Sequence, residues 1–259
     1  GASRAVAVAA SLLDREVNQD RWVANDPWFL PGSMLDNKPN FQIGVVNAIG
    51  RFTIEMRDRI ARVRGSSAVD PDIEGAAGRI NYPGDVWIFE WSTAPVQPSS
   101  ESQYRRGLAE LRSYNERLAQ GVAVYERRND NLLYTLDRIS DDLGGSMAAL
   151  AGRVDQDATV MLDFGADNLF YNTKGRLYAY SLLLRELGRD FQVIIEQNNL
   201  QAVLAQTTSS LREASNLQPW VVLDGSPTGA VFANHLAAQG FHLKRALVQL
   251  NEMSQVLVN

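Results

Sequence analysis

"YRRGLAELRSYNERLAQGVAVYERRNDNLLYTLDRISDDL", residues 104–143, places Tyr104, Leu108, Leu111, Asn115, Leu118, Val122, Tyr125, Asn129, Leu132, Leu136, Ile139 and Leu143 at alternating steps of 4 and 3. That spacing lines one face of an α-helix, and its length sets the fold class as all-α. With Tyr104 taken as a d position of a heptad, Asn115 and Asn129 both fall at a, where a buried amide commonly fixes register and partner at a cost in stability. Ser100 with Gln103 supplies a capping box before the run, and Gly144-Gly145 a stop after it. Gly121 leaves open a break into two shorter helices. The run reads either as a long helix packed on its own chain or as a seam, through Asn115 and Asn129, for another chain.

The rest of the sequence fits around it. From Ala2 to about Arg21, Val6, Ala10, Leu13 and Val17 step by 4, 3 and 4 along one helical face. "NDPWFLPGSMLDNKPNF", residues 25–41, stops that helix, because Pro27, Pro31 and Pro39 cannot sit inside one and Gly32 permits a sharp bend. Asn37 can cap the next helix with Pro39 in its first turn, and Phe41, Val45, Ala48, Phe52, Met56 and Val63 carry it to about Arg64. Residues 65–99 carry glycine and proline without a helical period and read as an irregular insert or lid; in it, "DVWIFEW" alternates Trp87, Phe89 and Trp91 on one side, as an extended segment does. Further helices are predicted from about Asp167 to Asn199, from Leu200 to Ala214, and from Ser226-Pro227 to the end. The expectation is one helical domain over residues 1–259, a bundle of six or seven helices, one of them long, with the aromatic insert folded over it.

Composition closes off several functions. A net charge of −5 lacks the basic face that phosphate recognition needs, so no nucleic-acid partner is expected. The densest basic stretch, residues 51–64, is interrupted by Glu55 and Asp58 and reads as a solvated face. Without cysteine there are no disulfides, thiolate nucleophiles or cysteine-held metals, and the two histidines, His235 and His242, lie ~10 Å apart along one helix face, too far to share a metal. No metal site, no cofactor and no catalytic group are expected. "ASRAVAVAASLLDREV" is too charged for a signal core or a membrane span, and an anchoring segment is expected upstream of it.

Four polar clusters compete as sites. "DPDIEG", residues 70–75, imitates half a calcium loop, but Asn81 stands where the bidentate glutamate belongs. Ser226 beside Asp224 and His235 lacks the glycines of a nucleophile elbow and reads as a helix cap whose free N–H groups could hold a small anion. Asp167 opens a helix in "ADNLFYNTKGR", and its charge favours the helix dipole. A ligand pocket is conceivable between Asp36-Asn37 and Asn234-His235, with Ser226 near it.

"LDNKPNFQIGV" (35–45), "SESQYRRG" (100–107), "DNLFYNTKGR" (167–176) with "LLRELGRDF" after it, and "DGSPTGAVFANH" (224–235) together resemble the bacterial family DUF2333 from near the start of the chain to near its end. The chain departs from that pattern at Lys38, where methionine is usual, and at Asp224, where asparagine is usual. The resemblance implies a helical domain outside the cytoplasm, on the periplasmic side of the inner membrane, behind an N-terminal membrane anchor. It implies no activity. The expected function is a non-enzymatic envelope protein acting through helix contacts with an unknown envelope partner or with itself; the alternative is a small-ligand binding or sensing domain.

Overall fold

The computed structural model describes residues 1–26, 37–60, 69–87, 98–156, 164–217 and 229–258, with the backbone alone for 60, 153–156, 164–166 and 229–236. Among them the chain is helical and holds no β-strand. Its helices are α1 (Arg4–Asp14), α2 (Asn37–Glu55), α3 (Pro71–Ile80), α4 (Ser100–Ala119), α5 (Asn129–Gln156), α6 (Phe164–Asp190), α7 (Gln192–Gln197), α8 (Gln201–Asn216) and α9 (Gly229–Val258). Both α1 and α2 run on into a π-helical turn, Arg15–Gln19 and Met56–Ile60.

The single long heptad helix is not formed; the break into two helices that Gly121 leaves open is. The apolar stepping is real, but it belongs to two helices, α4 and α5, separated by residues 120–128. Gly121 sits at φ +74, donating to Leu118 O, while Val122 N donates to Arg117 O. This pair of bonds is the Schellman closure that a residue in the left-handed region permits, and glycine enters that region without a Cβ penalty. Val122, placed on the seam by the heptad, is 67% exposed. Gly144-Gly145, read as a stop, lie inside α5, and the cap of α4 is Ser99, whose side chain accepts from Ser102 N, one residue before the capping box. The helix predicted over 167–199 breaks at Phe191, and Asn199, at φ 54, turns the chain into α8. These breaks give nine helices among the described residues where six or seven are expected.

The insert of residues 65–99 is not irregular throughout. Asp70 caps α3 by accepting from Asp72 N, Pro71 stands at the first helical position, and Ile73, Ala76, Ala77 and Ile80 are buried. The half calcium loop is therefore a helix start. Arg117 of α4 donates to both Asp70 and Asp72 at 2.6 Å, which clips α3 to α4. Phe89 and Trp91 of the aromatic segment lie outside the described residues; Trp87 is half-buried.

The central element is α6, which packs against α1, α2, α5 and α8; α9 lies on α5 and α8, while α3 and α4 pair with each other and reach α2 and α1. The face of α6 bearing Leu177, Tyr180, Leu184 and Leu187 is buried at 1% exposure or less, and burying such side chains is a main source of stability. Against it α2 lies backbone to backbone. A Cβ on Gly44 would stand 2.1 Å from Asn172 O, and one on Gly175 would stand 2.2 Å from Phe41 O. The two glycines are reciprocal, each leaving room for a carbonyl of the other helix. Just outside the crossing Asn40 Nδ2 donates to Asn168 Oδ1 at 2.6 Å.

After α1 the chain is pinned before it enters 27–36. Gln42, fully buried, accepts from Val23 N and donates to Arg21 O and Glu16 O, so its amide does the work of three missing backbone partners. Trp22 donates from its indole to Gly84 O and packs edge-on against Tyr104, ring centres 5.0 Å apart. Residues 22–26 thus read as a fixed connector; the prolines Pro27 and Pro31 lie outside the described residues.

A charged groove between two helices

Between α2 and α5 lies an open groove of about 1280 Å³. One wall is Arg51, Ile54, Glu55, Asp58 and Arg59, from the end of α2 and its π turn. The other is Tyr134, Asp137, Arg138, Asp141 and Asp142 on α5, with Arg128 and Asp130 at one end. Steps of 3 and 4 on both helices explain the facing stripes, since each groups the residues of one face. Seven carboxylates meet four guanidiniums among the described lining residues.

The floor at the Asp142 end is pre-built. Asp142 takes a two-pronged contact from Arg176 Nη1 at 2.6 and 2.7 Å, accepts from the Tyr180 hydroxyl at 2.9 Å, and lies 3.7 Å from Arg51 Nε. Burial and the neighbouring Asp142 charge push the Tyr180 phenol far above its usual range, so it stays a donor. Arg176 is itself aimed by Asn172 Oδ1 at 3.1 Å.

The middle of the groove is less settled. Glu55 is 6% exposed, and its Oε1 is buried with no hydrogen-bond partner. Oε2 lies 3.9 Å from Arg138 Nε, beyond hydrogen-bond reach, and Arg138, 69% exposed, is shared with Asp141 at 3.6 Å. Arg59 stacks its guanidinium 4.1 Å from the centre of the Tyr134 ring. Burial raises the Glu55 carboxyl above its ordinary range against the opposing pull of Arg138 and Arg59. A raised carboxyl binds its proton more tightly in the folded state, so its contribution favours folding at low pH and is lost as pH rises through the folded-state value. Glu55→Gln should therefore melt ~3 °C above the parent at neutral pH, with the gap closing towards pH ~4. Calorimetric melts of the pair across that range check this, and a gap that widens on acidification would contradict it.

The sequence-predicted sites fall elsewhere. Asn37 opens α2 and is exposed. Asp36 and Ser226 lie outside the described residues, as do the side chains of Asn234 and His235 on α9. Their convergence into a pocket thus falls outside the described residues as well. Asn115 and Asn129 stand on different helices and are engaged within the chain: Asn115 Oδ1 accepts from Ser3 N at 2.8 Å, and Asn129 Nδ2 donates to Leu257 O at 2.6 Å. Asp167 lies in the first turn of α6, as its charge suggests. His242 sits 3.2 Å from Glu213 of α8, a partner on a neighbouring element. No cluster of metal-ligating residues occurs among the described ones, nor is any described helix long and apolar enough to cross a membrane.

The described residues thus define an all-helical protein with a charged groove between two of its helices. The chain belongs to DUF2333, a family of uncharacterized proteins conserved in bacteria, whose model matches residues 1–163 and 163–259. No curated protein and no solved structure matches it.

Proposed function

We propose that this protein is a non-enzymatic component of the bacterial cell envelope that holds a positively charged segment of a partner protein in the groove between α2 and α5. The observation that carries the reading is the excess of carboxylates over guanidiniums along two facing helices, with Glu55 buried between them and its Oε1 without a hydrogen-bond partner. Complementary charge favours encounter and register with a basic segment and disfavours an acidic one. The lining groups are acids, guanidiniums, one amide and one phenol, a set suited to reversible ion pairing; among the described lining residues there is neither histidine nor an aliphatic hydroxyl to act as nucleophile. The envelope setting, with the domain on the periplasmic face behind an upstream anchor, is part of this proposal and rests on the resemblance of the sequence to its family alone.

The test is calorimetric titration with an octalysine peptide at low ionic strength. Asp137→Lys combined with Asp141→Lys should weaken binding at least ~10-fold, because like charges then face the peptide. Glu116→Lys with Glu252→Lys, the same change in charge on exposed sites outside the groove lining, should leave affinity within about twofold. Equal losses in the two double variants would reduce the interaction to general attraction for an acidic protein and sink the proposal.

A further inference from the structure

We infer that Glu55 is the recognition point of a subsite for a primary alkylammonium group, the side-chain terminus of a lysine laid along the groove. This rests on the reading of the groove as a site for a basic segment.

A cluster of acidic side chains on a surface is ordinary, and Asp137 and Asp141 alone would carry no inference. Glu55 differs from them in being more than nine-tenths buried, with Oε1 bonded to nothing. A buried acceptor without a donor is costly, and natural proteins rarely keep one without a use. Its neighbours do not supply the missing bond. From the π turn come Arg59, which lies on Tyr134, and Asp58, which pairs with Arg57; from α5 comes Arg138, too distant at 3.9 Å and divided between two carboxylates. Glu55 is also the last residue of α2 before the π turn, and such turns occur often at functional sites, since the extra residue re-aims the side chains around it.

The donor set selects the ligand. An arginine would approach a carboxylate with two parallel N–H groups and needs both oxygens, but Arg138 already stands on the Oε2 side. An ammonium is a compact charge that needs one oxygen here and can turn its other N–H bonds to Asp137 or Asp141 across the groove. Ile54, half-buried beside Glu55, offers apolar surface for the methylenes of a lysine stem. The alternative, a protonated Glu55 donating to a neutral ligand, has the opposite pH dependence.

The experiment uses the whole chain and four small probes in calorimetric titrations: N-acetyl-lysine N-methylamide, its arginine and norleucine counterparts, and 1,5-diaminopentane. The lysine probe should bind, the arginine probe at least ~5-fold more weakly and the norleucine probe not measurably. Affinity for the lysine probe should fall as pH drops through the raised Glu55 carboxyl range. Glu55→Gln should weaken it ~10-fold or more while melting no lower than the parent, so that loss of fold is not the cause. Tighter binding of the peptide-like lysine than of the diamine assigns the ammonium to a protein segment, whereas the reverse order assigns it to a free amine; either supports the subsite. Arginine binding as well as lysine, affinity rising on acidification, or an unchanged Glu55→Gln would overturn it. Those three outcomes leave the groove reading intact if octalysine is still lost in the Asp137→Lys, Asp141→Lys variant. If octalysine binding survives there, the groove reading itself fails.

Discussion

Gly44→Ala and Gly175→Ala should each cost about 3 kcal/mol or more, the upper range for forcing atoms into a packed interior. On helix propensity alone both changes would help, because glycine inside a helix is worth roughly 1 kcal/mol less than alanine. The sign is reversed by what the new methyl meets. It is not a flexible side chain but a main-chain carbonyl, Asn172 O for Gly44 and Phe41 O for Gly175, at just over 2 Å. Neither oxygen can yield without moving its helix, so α2 and α6 must separate and their shared apolar face must loosen. Gly144 is the internal control: it also lies in a helix, α5, and a Cβ there meets nothing within 4 Å. Gly144→Ala should stabilise by roughly 0.5–1 kcal/mol. Denaturant midpoints of the three variants check this, and a parallel small gain in all of them would refute the close crossing.

Asp190→Ala should be nearly as damaging, at about 3 kcal/mol. Asp190 closes α6, where a negative charge opposes the helix dipole, so its presence there asks for an explanation. The explanation lies at the start of α1. Asp190 accepts from Ser3 Oγ at 2.5 Å, from Arg4 N at 2.9 Å and from Ala5 N at 3.0 Å, while Ser3 Oγ takes Val6 N and Asn115 takes Ser3 N. One carboxylate from a distant helix thus satisfies donors that a helix start cannot satisfy itself. Asp190→Asn keeps one acceptor and should cost about half as much. In urea titrations, Asp190→Ala indistinguishable from the parent would mean that water replaces the carboxylate and that the cap contributes nothing.

The all-helical class was legible because apolar periodicity is a local property, and it marks α1, α2, α4, α5, α6, α8 and α9 directly. The break between α4 and α5 was not, since Leu118, Val122 and Tyr125 keep the step across it; only the backbone angle at Gly121 decides, and a glycine in sequence permits that angle without requiring it. The family-bearing stretches were visible as words without a chemical sense. Their sense is pairing at a distance: "LDNKPNFQIGV" brings Asn40 and Gly44 against Asn168 and Gly175 of "DNLFYNTKGR", "SESQYRRG" brings Tyr104 under Trp22, and "LLRELGRDF" delivers Asp190 to α1. The groove escaped for a related reason. Arg51, Glu55 and Asp58 have the spacing of a face turned to water, and nothing on α2 alone reveals that Glu55 is buried or that α5 brings a second charged stripe opposite.

The crossing of α2 over α6 also sets an order of events during synthesis. The groups it joins are 128 residues apart at Asn40 and Asn168, and the cap of α1 waits for a carboxylate 186 residues downstream of Arg4. Contacts of such long range are slow to form, because the intervening chain must be ordered before they reward it. Until α6 has emerged, the faces of α1 and α2 that pack on it in the folded protein lack that partner, and transiently exposed apolar surface is what makes nascent chains prone to aggregate. A fragment ending at residue 163, where the two matched segments meet, would carry the groove's two walls yet lack α6, which packs against both.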